Sequence, residues 1–327
     1  EAGINHNGDM RLAKELIDVA VNSKVDAVKF QVFVPELLIT KNTEMAPYQK
    51  SNLGVSKSQL DMIKDYELSY EQHIMLNEYC KLKKITYLSS PFDIPSIEFL
   101  SNIVPLFKIP SGEITNLPYL RKIASYGKKV ILSSGMSTLD DINMALEVLT
   151  TYGLKINQIT VLHCTSNYPC EISDVNLKSM KTIKSTFGVN VGYSDHTLGL
   201  EIPIAAVALG ATVIEKHFTI DKNLSGPDHK ASLEPNELAD MVSSIRKIEY
   251  AIGDGIKVPT NSEIDNIKVV RKSIVAKTTI KRGEVFTEKN IICKRPGIGI
   301  SPMCWDSVLG KTAKKDFGID ELICNED

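Results

Sequence analysis

Two histidines close segments that read as extended chain: "GYSDHT" at 192–197 contains His196, and "IEKHFT" at 214–219 contains His217. Ser194 precedes His196 by two residues and Glu215 precedes His217 by two, so in strands each pair shares a face. Two lysines occupy similar settings, Lys29 in "AVKFQVF" and Lys108 in "LFKIPSGE". Around them, Glu1, Gln31, Ser89, Ser90, Ser111, Glu113, Ser133, Ser134, His163 and Ser166 lie where apolar runs stop. Two neutral imidazoles beside an open position suit a borderline divalent metal such as Mn²⁺, Zn²⁺ or Co²⁺. Lysines and hydroxyls suit a phosphate or a carboxylate, through charge and charge-assisted hydrogen bonds. Together these residue types describe a metal that polarises a carbonyl beside a phosphorylated anion.

Each residue alone has a plainer role. A serine at a strand end is more often a turn or cap residue, a lone lysine there snorkels to solvent, and His163 alone reads equally well as a satisfied core histidine. The collection is what resists that reading. Lysines, hydroxyls, carboxylates and histidines gathered on converging strand ends would be costly to desolvate without a ligand.

Convergence needs a scaffold, and the pattern of the chain supplies one. Extended segments are expected at 1–5, 27–33, 86–92, 106–113, 130–136, 159–166, 190–196 and 212–218. Each is followed by a stretch with 3.6-residue periodicity. In the first, Leu12, Leu16, Ile17 and Ala20 fall on one face, and "SYEQ" at 69–72 is a capping box. Three of the helical stretches run out at glycines 127, 153 and 188, the usual residue after a helix. Eight strand–helix units in about 255 residues match an α/β fold of the (β/α)₈ TIM-barrel type, whose strand ends meet at one site. An open doubly wound sheet is the rival, but "GINHNGD" is no G-x-G-x-x-G phosphate turn. The stretch 34–68 is long for a βα loop, which points to an active-site cover or an inter-subunit element. We therefore expect a catalytic barrel over 1–255, a linker over 256–270, and a small β-rich domain over 271–327.

The 327 residues carry a net charge of −2, which argues against a nucleic-acid surface. No apolar run is long enough to span a bilayer, and no signal peptide is visible, although the chain opens on Glu1 in what reads as the end of a strand. The six cysteines (Cys80, Cys164, Cys170, Cys293, Cys304 and Cys324) contain no C-x-x-C pair, which fits a reduced, cytoplasmic protein.

A series of motifs, in order along the chain, resembles the bacterial sialic acid synthase family. They are "EAGINHNGD", "KFQVF", "FKIPSGEITNLPYL", "VILSSGM", "LHCTSNYP", "GYSDHTLG", "ALGATVIEKHFT" and "GPDHKASLEP". "RKSIVAKTTIKRGEVFTEKNI" and "KRPGIGISP" resemble that family's antifreeze-like (SAF) domain. Within the family, "KFQVFVPELLITKN" looks closest to the N,N′-diacetyllegionaminate synthases, because sialic acid synthases read nearer to "KHQTH" at 29–33.

The resemblance implies condensation of phosphoenolpyruvate (PEP) with the open-chain aldehyde of an N-acetylated hexose, with release of phosphate by C–O cleavage. It implies that His196 and His217 ligate the metal, typically Mn²⁺ with Mg²⁺ or Co²⁺ as substitutes. PEP would be held by Lys29, Lys108, Ser111, Ser133, Ser166 and Ser194. Glu1 would position the attacking water, and Glu113 would lie near the reacting carbons. Tyr168, Asp228 and, from a partner subunit's SAF domain, Arg295 would contact the sugar, so the resemblance also implies a domain-exchanged homodimer. Two positions depart from the sialic acid synthases: Ser166 stands where they commonly have Asn, and Arg271 where they tend to have Phe. An arginine adds donors and charge, which suits an extra acetamido group and the sugar 2,4-diacetamido-2,4,6-trideoxymannose. N-acetylmannosamine is the alternative substrate. Two other classes are a Schiff-base aldolase using Lys108 or Lys216, and a non-catalytic protein whose SAF unit binds a ligand.

Overall fold

The computed structural model describes residues 1–54 and 57–323, so Cys324 and the last residues of the expected C-terminal domain lie outside the described residues. The chain forms two compact units, Glu1–Gly253 and Asp254–Asp327. No helix among the described residues is long and apolar enough to cross a membrane.

The first unit is a TIM-barrel-like fold of parallel strands. β1 (Ala27–Val32) and β2 (Thr86–Pro91) pair in parallel. β3 (Phe107–Ile109), β4 (Val130–Ser133), β5 (Ile159–Cys164), β6 (Asn190–Asp195) and β7 (Ile214–Lys216) follow in chain order in a second parallel sheet. The expected strand over 1–5 is shorter than its sequence pattern suggests, yet it closes the ring. Gly3 bridges Phe30 in parallel, and the Ala2 N–H donates to the Lys29 carbonyl at 2.9 Å. On the other edge the Glu1 nitrogen donates to the Lys216 carbonyl at 2.8 Å, and the Phe218 N–H to the Glu1 carbonyl at 3.0 Å.

Alternation decides what the strands do. Val28, Phe30, Phe107, Ile109, Val130, Leu132, Val161, Val191 and Tyr193 are buried in the apolar layer that holds the helices against the strands. The residues between them point into the ring, and there the chain places polar groups. The helices follow the same logic. Met10–Asn22 buries Ala13, Leu16, Ile17 and Ala20, so Ala13 takes the place expected for Leu12, which is half-buried; the i, i+3, i+4, i+7 spacing wins over i, i+4, i+8. Tyr70–Lys83 opens on the capping box of Ser69 and Gln72. Gly188, at φ 67°, ends Lys178–Phe187 in the left-handed conformation that glycine adopts without steric cost.

The stretch between β1 and β2 carries three short helices, Pro35–Leu38, Pro47–Leu53 and Gln59–Lys64. It has a small core of its own, in which Met45, Met62, Ile63 and Tyr66 pack with Ile4 and Phe33.

The second unit contains the helix Asn261–Val270 and an antiparallel pair, β8 (Ser273–Ala276) with β9 (Ile291–Lys294). Isolated bridges join Ile280 to Phe317 and Val285 to Thr312. Its core gathers Ile274, Ile280, Phe286, Ile291 and Phe317.

Candidate active site

The ring interior holds a compact charged group drawn from most of its strands. Lys29 on β1 and Lys108 on β3 each approach the Glu215 carboxylate of β7 at 3.5 Å. Lys108 also donates to the Ser133 hydroxyl at 2.7 Å. Lys29 donates to Ser90 at 3.2 Å and is ion-paired with Glu1. Ser194 donates to Glu215 at 3.2 Å, and Gln31 donates to Glu1 at 3.4 Å. Side chains on β1, β2, β3, β4, β6 and β7 can meet this way only if all point inward.

Burial sets the charge state of the group. Desolvation pulls the Lys29 ammonium down to about 7, with Lys108 adding repulsion and Glu215 opposing both. Burial alone would raise the Glu215 carboxyl, but Lys108 and Lys29 outweigh it and hold the group well below the usual carboxylate range. Two lysines and two carboxylates thus balance one another. An incoming anion can take over the lysines.

Beside this group a cluster of hydroxyls and a thiol packs at the ends of β3, β4 and β5. The Gly135 N–H donates to Ser111 at 2.9 Å, and Ser111 lies 3.3 Å from the Cys164 sulfur. A Cβ on Gly135 would come within 2.2 Å of the Ser166 hydroxyl and 2.8 Å of that of Ser111. The absence of a side chain at Gly135 therefore lets the Ser111 and Ser166 hydroxyls pack directly against the main chain. Burial raises the Cys164 thiol, so it stays protonated.

One turn further along the strands stand the two imidazoles. His196 and His217 have ring centroids 5.7 Å apart, and Tyr168 lies against both, at 4.0 Å and 5.7 Å. The Nδ1 of His196 is 2.7 Å from the Thr165 carbonyl. A carbonyl can only accept, so Nδ1 carries the proton and Nε2 keeps its lone pair. The Nδ1 of His217 is buried without a hydrogen-bond partner, 3.9 Å from Asp228. Desolvation lowers both imidazoles, that of His217 well below its ordinary value. Neutral rings with free lone pairs are the form a metal needs. Among the described residues no group of three or more His, Cys, Asp or Glu could hold an ion. The pair therefore fits as part of a coordination sphere, with the other positions left to water or substrate oxygens.

The carboxylates next to the histidines do other work. Asp195 lies 2.5 Å from Lys216 in a buried ion pair and accepts from Thr197, while Glu215 serves the lysines. Neither orients an imidazole; a main-chain carbonyl does that for His196. Lys216, weighed as a Schiff-base nucleophile, also donates to the Thr197 carbonyl and lies on the opposite face of β7 from Glu215, outside the ring. His163 likewise faces outward, with Nε2 2.9 Å from the Val175 carbonyl, a satisfied packing residue.

The structure brings Glu1, Lys29, Lys108, Ser133 and Ser194 into one contact group, Ser111 and Ser166 together against Gly135, and Tyr168 and Asp228 to the imidazoles. Glu113 stands apart, in a 3₁₀ turn (Ser111–Glu113), accepting from Asn116 at 2.6 Å. Burial raises its carboxyl. Burial also pushes Asp228 up to about 7. Arg271 and Arg295 belong to the second unit, both exposed. They come from neighbouring stretches there, since a Cβ on Gly297 would lie 2.6 Å from that of Arg271. Sequence reasoning gave no role to Ser90, to the pairing of Glu215 with both lysines, or to Tyr48, whose ring is 5.0 Å from that of Tyr168. Co-facial alternation could have flagged the first two. For Tyr48 the one available signal was an aromatic residue in an overlong βα connection.

A cavity of about 450 Å³ lies on the other side of the charged group, between the first residues of β1 and β7 and the helix Pro235–Ile252. Val25, Ala27, Val213 and Leu238 line it, and Lys29, Lys108 and Glu215 of the charged group form its inner end. It reaches neither histidine, so it opens on the charged group away from the imidazoles.

Comparison with known proteins gives a consistent picture. The sequence pattern of the NeuB family matches residues 16–257, and that of the SAF domain matches residues 271–327. The chain is 53% identical to an N,N′-diacetyllegionaminic acid synthase of Campylobacter jejuni, over 99% of this chain and 97% of that one. It is 46% identical to an N,N′-diacetyllegionaminic acid synthase of Legionella pneumophila, over 95% and 88%. Among solved structures, the N-acetylneuraminic acid synthetase of Leptospira borgpetersenii, in complex with citrate, superposes with a TM-score of 0.70 at 36% identity, over 81% of this chain and 88% of that one.

Proposed function

The chain belongs to the NeuB family, and on that premise we propose that it condenses PEP with 2,4-diacetamido-2,4,6-trideoxymannose to give N,N′-diacetyllegionaminate and phosphate. The observation that carries this reading is the inward-facing group in which Lys29 and Lys108 flank Glu215, with the Ser133 and Ser194 hydroxyls bonded to it. The choice of sugar rests on the higher identity to the legionaminic acid synthases than to the N-acetylneuraminic acid synthetase. N-acetylmannosamine is the alternative substrate.

In this reading carbon three of PEP attacks the aldehyde carbon of the sugar, which leaves an oxocarbenium at carbon two. Water adds there, and the C–O bond to phosphate breaks. Lys29 and Lys108 hold the PEP anion, with hydroxyl donors from Ser111, Ser133, Ser166 and Ser194. PEP arrival draws the lysines away from Glu215 and Glu1, so the charge they lose is replaced in a site shielded from water. Holding both substrates at strand ends converts a bimolecular encounter into a positioned one. Glu1, fixed beside Lys29, orients the attacking water, whereas Glu113, hydrogen-bonded to Asn116 in its 3₁₀ turn, would reach the reacting carbons only by leaving that contact. Tyr168 and Asp228 face the sugar. His196 and His217 would hold a divalent ion, Mn²⁺ with Mg²⁺ or Co²⁺ as substitutes, which would supply Lewis-acid stabilisation at the aldehyde oxygen.

The working unit is a homodimer in which the SAF domain of one subunit brings Arg295 to the partner's site, and Arg271 helps read the second acetamido group. The setting is the cytoplasm. The test is direct: PEP, Mn²⁺ and each hexosamine are incubated with the chain, and the product is identified by mass. The nonulosonate of the diacetamido sugar should dominate. A product from N-acetylmannosamine alone would overturn the sugar assignment, and sugar-independent borohydride trapping of pyruvate would overturn the reaction class.

A further inference from the structure

The long connection after β1 is fastened over the imidazoles. The Asn52 side chain donates to the Pro227 carbonyl at 2.6 Å, and Lys230 donates to the Asn52 carbonyl at 3.3 Å. Both contacts tie the connection to the loop that carries Asp228. Tyr48 sits in the middle helix of this connection, its ring 5.0 Å from that of Tyr168 and tilted by 32°. Tyr168 in turn lies 4.0 Å from His196. The two tyrosines thus form an aromatic wall that starts at the metal pair and runs away from it. Burial, and then the Asp228 carboxyl, raise the Tyr48 hydroxyl.

We propose that Tyr48 is a specificity-determining residue, setting the preference for a sugar with an acetamido group at carbon four and a methyl at carbon six over N-acetylmannosamine. This rests on the reading of the sugar given above. If the aldehyde lies at His196 and His217, Tyr168 flanks the first carbons of the open chain and Tyr48 flanks the more distant ones. An aromatic face favours methyl and C–H groups, and a phenol tip bonds an amide. A hydroxyl turned toward the same ring face gives up water without a partner in return. The diacetamido sugar carries the apolar groups at these positions, and N-acetylmannosamine carries hydroxyls.

The experiment measures kcat/KM for both sugars and KM for PEP in the wild type, Tyr48→Phe and Tyr48→Ala. Tyr48→Ala should cut kcat/KM for the diacetamido sugar by roughly 10–100-fold, the scale on which one pocket contact discriminates. The value for N-acetylmannosamine and the KM for PEP should change by less than about threefold. Tyr48→Phe keeps the ring and should keep most of the preference, which separates a lost wall from a misfolded connection. Equal losses for both sugars in Tyr48→Ala, or an unchanged preference, would overturn the proposal while leaving the sugar assignment intact. A wild type that does not use the diacetamido sugar would overturn both.

Discussion

The two halves of the site are built differently. The half proposed to hold the anion consists of Lys29, Lys108, Ser133, Ser194 and Glu215, all on strands, with each side chain aimed by alternation. The half proposed to face the sugar consists of Tyr48, Tyr168 and Asp228, all on connections between strands. Strands fix direction to within the pleat, and they are held by helices on one side and by one another on the other. Connections are held by a few hydrogen bonds, such as those of Asn52 and Lys230. The contrast explains how one family can keep its PEP chemistry while different members take different sugars: the loops can change without disturbing the lysines.

The sharpest way to break this division is to remove one lysine. Lys108→Ala should lower kcat/KM for PEP by about 10²–10³-fold, because it deletes a buried charge-assisted contact and leaves Glu215 with a single lysine. The KM for the sugar should stay within about twofold. Steady-state kinetics with each substrate varied in turn checks this. A loss shared equally between the substrates would show that the halves are not separate.

The complementary variant is milder. Asp228→Asn keeps the shape of the loop, and it should raise the KM for the sugar about tenfold with little change for PEP. A matching rise in the KM for PEP would place Asp228 in the wrong half.

The smallest effect is a fraction of a proton. Free Lys29 is lowered by burial to about 7, so above that pH its neutral form prevails. A bound PEP anion favours the ammonium and raises the group again. Binding should therefore take up protons above pH 7, and PEP affinity should weaken as pH rises through that range. Calorimetry of PEP binding in buffers of different ionisation enthalpy reads the uptake directly. Proton release, or no exchange, would contradict the assignment of Lys29 to the anion.

The same contrast governs what the sequence made legible. Strand residues could be read because period-two alternation states which neighbours share a face, so Ser194 with His196 and Glu215 with His217 were paired before any fold was in hand. Eight strand–helix units then implied that these faces converge. Alternation does not say which partner a carboxylate selects. Glu215 shares a strand face with His217, yet the buried lysines claim it, two cations outweighing one neutral imidazole. Loop residues were legible only through the family resemblance, as with Tyr168 and Asp228, and Tyr48 was not legible at all. Residues 1–3 formed a bridge rather than the expected five-residue strand, since edge hydrogen bonds at Glu1, Ala2 and Gly3 suffice to close the ring. Arg271 and Arg295 sit in a separate compact unit, so their part in the site is a matter for mixing His217→Ala with Arg295→Ala subunits.

The claim on which everything else depends is that PEP reacts through its third carbon with loss of phosphate by C–O cleavage. PEP labelled with ¹⁸O at the bridging oxygen, turned over with the diacetamido sugar, tests it in one step. The label should appear in the inorganic phosphate, because the bond between carbon two and that oxygen is the one that breaks. Unlabelled phosphate, produced by cleavage at phosphorus, would contradict the mechanism and the roles assigned here to Lys29 and Lys108.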